Sequence, residues 1–114
     1  MHIEDLRTYC LSLAGTTEDI KWEHDLCFSI RGKMYCVASL EAPFTFSFKA
    51  TPENFASLTQ QPGIKPAPYL ARYHWVLVEE TSLHALPEWE RYILESYHLV
   101  KQKLPKKVLK ELEL

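Results

Sequence analysis

Between Leu26 and Lys49 the chain alternates apolar and polar side chains almost residue by residue. Leu26, Phe28 and Ile30 share one parity and Cys27, Ser29 and Arg31 the other. Met34, Cys36, Ala38 and Leu40 then alternate with Tyr35, Val37 and Ser39, and after Glu41-Ala42-Pro43 the run Phe44, Phe46, Phe48 alternates with Thr45, Ser47 and Lys49. A period of two is the signature of a strand with one buried face, so the stretch predicts three antiparallel strands. The short connection Arg31-Gly32-Lys33 contains the glycine that a tight hairpin uses where φ turns positive, which makes the first two strands neighbours. One face of this predicted sheet is rich in Phe and aliphatics. The other carries Arg31, Lys33, Tyr35, Ser47 and Lys49.

Helical spacing brackets the meander. Ile3, Leu6, Cys10 and Leu13 recur every three or four residues, Glu4 and Asp5 suit the positive end of a helix, and Gly15 supplies a stop, so a helix is predicted over His2–Ala14. Thr16 to Asp25 is acidic with Ile20 and Trp22 inside it, and reads as a short edge strand or loop. Thr51-Pro52-Glu53 reads as an N-cap, a proline in the first turn and an acidic N-terminus for a short helix that turns Phe55 and Leu58 inward and ends before Pro62-Gly63. Prolines 66 and 68 exclude a helix and permit at most an edge or extended loop, a connector, before Tyr73–Glu80 returns to strand composition, with its buried parity left open. Leu86, Trp89, Ile93, Tyr97, Val100 and Leu104 mark the longest helix, closed by Pro105, and Val108, Leu109 and Leu112 predict a terminal helix over Lys106–Leu114. Strands and helices together in these segments give an α+β class.

Composition narrows the class further. A chain of 114 residues is one domain, 1–114, able to bury roughly two-thirds of its unfolded surface, and 46% apolar residues with 25% charged excludes a disordered chain. No run approaches the ~20 apolar residues of a membrane span, and the acidic N-terminus does not resemble a signal peptide, so a cytoplasmic monomer is the expectation. Cys10, Cys27 and Cys36 contain no C-x-x-C pair and sit at apolar positions, as reduced core thiols do. Glu18, Asp19, Glu23 and Asp25 with His24 lack metal-site spacing and read as a solvated acidic edge; no metal or cofactor is expected. The chain contains no nucleophile elbow, phosphate loop or dinucleotide fingerprint, so it is not expected to be an enzyme.

The candidate chemistry is a cationic and aromatic patch. Arg31, Lys33, Tyr35 and Lys49 from the polar face of the meander join Arg72, Tyr73 and His74. Cations neutralise phosphates and release counterions, while tyrosines stack or donate hydrogen bonds, so this set suits a nucleic-acid backbone. Lys101, Lys103, Lys106 and Lys107 complement the negative end of the long helix and are read mainly as fold support. A second candidate is a ligand groove at Tyr69, His74 and Trp75 within the Pro68–Trp75 segment, for a small molecule or a protein partner. The formal net charge of −2 argues against a strongly basic binder, and a local patch is what remains.

Laid out this way, the chain resembles the MmcQ/YjbR family of small bacterial proteins. The resemblance rests on Gly32-Lys33-Met34-Tyr35, on Phe48-Lys49 followed by Thr51-Pro52-Glu53, and on the run from Pro68 to Trp75. It continues through Ser96-Tyr97-His98-Leu99-Val100 and Lys103-Leu104-Pro105-Lys106-Lys107, and so runs nearly the whole length. It implies a CyaY-like, frataxin-like fold, a two-layer α+β sandwich with a twisted antiparallel sheet packed on helices, and weak, backbone-directed binding of double-stranded DNA through a double-wing motif.

Overall fold

The alternation of Leu26–Lys49 is realised as a sheet, and the exceptions to it decide where the site lies. The computed structural model describes residues 1–112. Its elements are α1 (Ile3–Ser12), β1 (Thr16–Lys21), β2 (Asp25–Ile30), β3 (Lys33–Ser39), β4 (Phe46–Lys49) and α2 (Pro52–Leu58). They continue with β5 (Ile64–Pro66), β6 (Trp75–Val78), α3 (Leu86–Lys101) and α4 (Lys106–Leu112), with 3-10 turns at Ala71–Tyr73 and Thr81–Leu83. The strands form one open antiparallel sheet in the order β1-β2-β3-β4-β6-β5. The α+β class is as predicted, and Thr16–Lys21 takes the edge-strand alternative. The terminal helix reaches Leu112, and positions 113 and 114 of its predicted span lie outside the described residues.

The helix layer covers one face. α3 lies across β2, β3 and β4, with α1 beside it against β1, and it buries Trp89, Ile93, Ser96 and Tyr97, which share one side of a helix. Phe46 meets Trp89 edge-to-face with ring centroids 5.3 Å apart, and the Trp89 indole donates to the Thr81 carbonyl at 2.8 Å, so its one polar atom is satisfied inside the core. The cap of α2 forms as its sequence predicts: the Thr51 hydroxyl accepts from the Asn54 amide at 3.1 Å. All three cysteines are buried and free.

Tyr35 departs from its predicted place. The register runs Phe28↔Cys36 and then Ser29↔Met34, which leaves Tyr35 as the extra residue of a β-bulge. The bulge turns Tyr35 and Cys36 to the same side, and Tyr35, expected on the polar face, is 0% exposed. Its ring packs edge-on against Tyr97 at 5.3 Å, and its hydroxyl donates to the Cys10 carbonyl at 3.2 Å and sits 2.8 Å from the Thr16 hydroxyl. Burial holds that phenol well above the usual tyrosine range.

Three boundaries are also corrected. The strand expected over Phe44–Lys49 begins at Phe46, with Phe44 stacked on it at 5.8 Å. The strand expected over Tyr73–Glu80 narrows to Trp75–Val78, because Tyr73 closes a 3-10 turn and His74 takes a left-handed conformation with φ of 66°. The helix expected to run to Pro105 ends at Lys101, and residues 102–104 turn before Pro105. Pairing Phe46↔Val78 and Phe48↔Val76 fixes the open parity: Val76 and Val78 face the helices, Trp75 and Leu77 the opposite side. The sheet face away from the helices is therefore partly apolar, with Cys27 and Trp75 buried and Met34, Val37 and Leu77 half-buried.

Candidate anion-binding groove

Residues 67–74 cross the face of the sheet that the helices leave uncovered. The Ala67 amide donates to the Trp75 carbonyl at 3.0 Å, and Tyr73 donates to the Leu70 carbonyl at 3.0 Å, so the proline-rich segment is pinned at both ends and coiled between them. Pro66 and Pro68 prevent it from extending β5 further, which is why it leaves the edge and folds back. Two cavities open where it crosses. The first, about 620 Å³, is lined by Lys33, Lys49, Lys103, Tyr73 and Trp75, with Met34, Leu70, Val100, Leu104 and Pro105 as its apolar wall. The second, about 570 Å³, is lined by Trp22, Asp25, Met34, Val37, Ser47 and residues 67–70. Met34 and Leu70 line both, so the two are halves of one groove.

Three elements bring the lysines of the first cavity together. Lys33 opens β3 after a two-residue turn in which Arg31 and Gly32 both have positive φ (50° and 81°), the conformation that matches strand twist in a tight hairpin. Lys49 ends β4, and Lys103 sits in the turn after α3. The Lys49 ammonium donates to the Tyr73 carbonyl at 3.1 Å and lies 5.9 Å from the Tyr73 ring. Burial first, and the neighbouring Lys103 ammonium second, push Lys49 below the ordinary lysine range. No carboxylate lines this cavity, and among the described residues none of the three lysines forms an ion pair. Like charges held together without a counterion favour an anion between them. At the mouth, Arg72 lies 4.8 Å from the Tyr73 ring centroid and donates to the Tyr73 hydroxyl at 2.7 Å, which leaves Tyr73 46% exposed beside two cations.

The structure unites part of the predicted patch. Lys33, Lys49 and Tyr73 line one cavity, with Arg72 attached through Tyr73. Arg31 points elsewhere and pairs with Glu111 of α4 at 3.1 Å, while Tyr35 is in the core. His74 lines neither cavity; its ring lies edge-on to Phe55 at 5.4 Å. The alternative groove of Tyr69, His74 and Trp75 is likewise not one site. Tyr69 is 99% exposed and lines the second cavity, while Trp75 is only 5% exposed and lines the first. Alternation along a strand does not report a bulge, and a proline-rich loop has no period from which its direction can be read.

Local sequence makes Lys103 helix support and places Trp22 in an edge strand or loop. Lys103 meets Lys49 across 54 positions of sequence, and no local pattern encodes that meeting. Trp22, an aromatic residue in an acidic stretch, did carry a signal. The acidic run is dispersed: Glu18 takes a bidentate pair from Arg7 of α1 (2.8 and 2.6 Å), which holds its carboxyl below the usual range, and His24 lies 3.0 Å from Glu41. No described group of His, Cys, Asp or Glu is arranged to hold a metal ion. No described helix is long and apolar enough to cross a membrane.

Comparison with known proteins places this geometry in a family. No curated protein matches the chain. Among solved structures it is similar to Deinococcus radiodurans protein DR2400, of domain DUF419, with 28% identity and a TM-score of 0.89 over 99% of this chain and 88% of that one. A protein from Pseudomonas syringae shares the fold with 22% identity and a TM-score of 0.73 over 88% of this chain and 99% of that one. The YjbR family model matches residues 11–99, from the end of α1 into α3, which takes in Lys33 and Lys49 of the groove but not Lys103, and the chain belongs to the YjbR family.

Proposed function

We propose that this protein binds nucleic acid weakly, through phosphate groups held by Lys33, Lys49 and Lys103 where the end of the sheet meets the turn after α3. The observation that carries the reading is a cavity lined by these three lysines and by no carboxylate. Tyr73 and Arg72 extend the cationic and aromatic surface at its mouth. Phosphate contacts of this kind position a strand without reading its sequence.

Titration of isotope-labelled protein with random-sequence DNA, at low and at physiological salt, tests it. Amide shifts are expected at Lys33, Lys49, Lys103 and Tyr73, with a salt slope of roughly −2 to −3 for about three neutralised phosphates. The triple variant K33Q/K49Q/K103Q should lose about tenfold or more in affinity, equally across sequences. Binding that survives this variant unchanged, or an absence of shifts at low salt, would remove the reading.

A further inference from the structure

The second half of the groove is built unlike the first. Trp22, in the turn after β1, is 66% exposed and Tyr69 is 99% exposed, yet both line the same cavity. Each is also held with positive φ, Trp22 at 52° and Tyr69 at 67°. Bulky residues rarely occupy that region, and such conformations persist only where the surroundings impose them. Two large aromatic side chains presented to solvent by strained backbone have no packing role that accounts for them. The rest of its lining is apolar, Met34, Val37, Ala67, Pro68 and Leu70, apart from Ser47 and Asp25. Charge is thus divided along the groove, with a carboxylate on one side of Met34 and Leu70 and three lysines on the other.

We infer that the groove takes single-stranded nucleic acid, with an unpaired base in the Trp22–Tyr69 cavity and its flanking phosphate at Lys33, Lys49 and Lys103. This rests on the phosphate-binding reading above and adds the state of the strand and the place of the base. An unpaired base offers an aromatic face to Trp22 and Tyr69, and stacking of this kind contributes substantially to single-strand binding. Its edge is placed toward Ser47 and Asp25; a carboxylate accepts from an exocyclic amine, as on cytosine, adenine or guanine, and a hydroxyl donates to a ring carbonyl. A paired base presents neither its face nor its Watson–Crick edge, so duplex DNA is held by its phosphates alone.

The test compares a short deoxycytidine oligomer, an abasic oligomer with the same number of phosphates, and a duplex, each against wild type, W22A/Y69A and K33Q/K49Q/K103Q. Wild type should bind the cytidine oligomer at least tenfold more tightly than the abasic one, with ring-current shifts at the Met34 and Val37 methyl groups that the abasic oligomer does not cause. W22A/Y69A should erase that difference while leaving abasic affinity intact, and circular dichroism of this surface variant confirms that it folds. Equal affinity of wild type for the two oligomers overturns the inference, as does a preference that persists in W22A/Y69A or a duplex bound as tightly as the cytidine strand. If abasic binding is lost in the lysine variant while these failures occur, the phosphate reading stands and only the base site falls. If wild type binds none of the three at low salt, both fall.

Discussion

Ser96 shows how much a single side chain carries here. Its hydroxyl accepts from the Lys49 amide at 2.9 Å and donates to the Tyr35 carbonyl at 2.6 Å, so a fully buried serine on α3 holds the bulge of β3 and the end of β4 at once. Ser96→Ala strands both backbone groups, and leaving a buried polar group unpaired costs about 1–3 kcal/mol. A fall in Tm of several degrees is expected, with broadened amide signals at Lys49; an unchanged Tm would show that water or relaxation replaces the hydroxyl. Lys49 itself carries a penalty. Its folded pKa lies below its unfolded value near 10.5, so wherever both states are protonated the folded state bears the cost of burying the ammonium and, second, of holding it beside Lys103. As pH rises through the folded pKa toward 10.5 the folded protein loses the proton first and the penalty disappears. The Tm of wild type relative to Lys49→Met should therefore climb across that alkaline window, and a pH-independent difference between the two proteins contradicts the assignment.

At the scale of elements, the turn from α2 into β5 is the most constrained connection. Gly63 has φ of +97°, and a Cβ there would collide with the Cβ of Glu80. Its carbonyl accepts from both the Glu79 and Glu80 amides, at 2.8 and 3.1 Å, which ties the start of β5 to the end of β6. Gly32 in the β2–β3 hairpin also has positive φ, at +81°, but a Cβ there meets nothing. Conformational strain alone costs about 1–2 kcal/mol, so Gly63→Ala should destabilise more than Gly32→Ala in urea unfolding; the reverse order would mean that the Glu80 contact relaxes freely. The hairpin and the N-cap of α2 were legible because each is a local device with its own residue chemistry. The bulge at Tyr35 was not, because a register shift is set by what the partner strand and α3 require.

Across the whole molecule, the groove depends on parts far apart in sequence. β1 supplies the turn that bears Trp22, β3 and β4 supply Lys33, Met34, Val37, Ser47 and Lys49, and the segment 67–74 forms the ridge between the cavities. The turn after α3 closes the lysine end with Lys103. Strong salt dependence belongs to this scale, because it reports how many phosphates the assembled surface neutralises rather than any one contact. With a net charge of −2 the molecule as a whole does not attract a polyanion. Affinity is expected to be modest at physiological salt and to rest on the groove alone.

The sequence by itself determined the α+β class, the hairpin, both amphipathic helices, the capped α2, the buried thiols and the membership in a family, and left β1 and β5 open between an edge strand and a loop. Each of these follows from local periodicity, from turn and cap chemistry, or from motifs that stand in order along the chain. It also picked out Lys33, Lys49 and Tyr73. Only the tertiary structure decided that Tyr35 belongs to the core, that Arg31 is neutralised by Glu111, and that Lys103 completes the cationic cavity. It likewise decided that Trp75 is floor rather than platform while Trp22 and Tyr69 are presented to solvent. The reason is the same in each case: a side chain's periodicity fixes its face, but a bulge, a proline-directed crossing or a contact across 54 residues decides what that face meets.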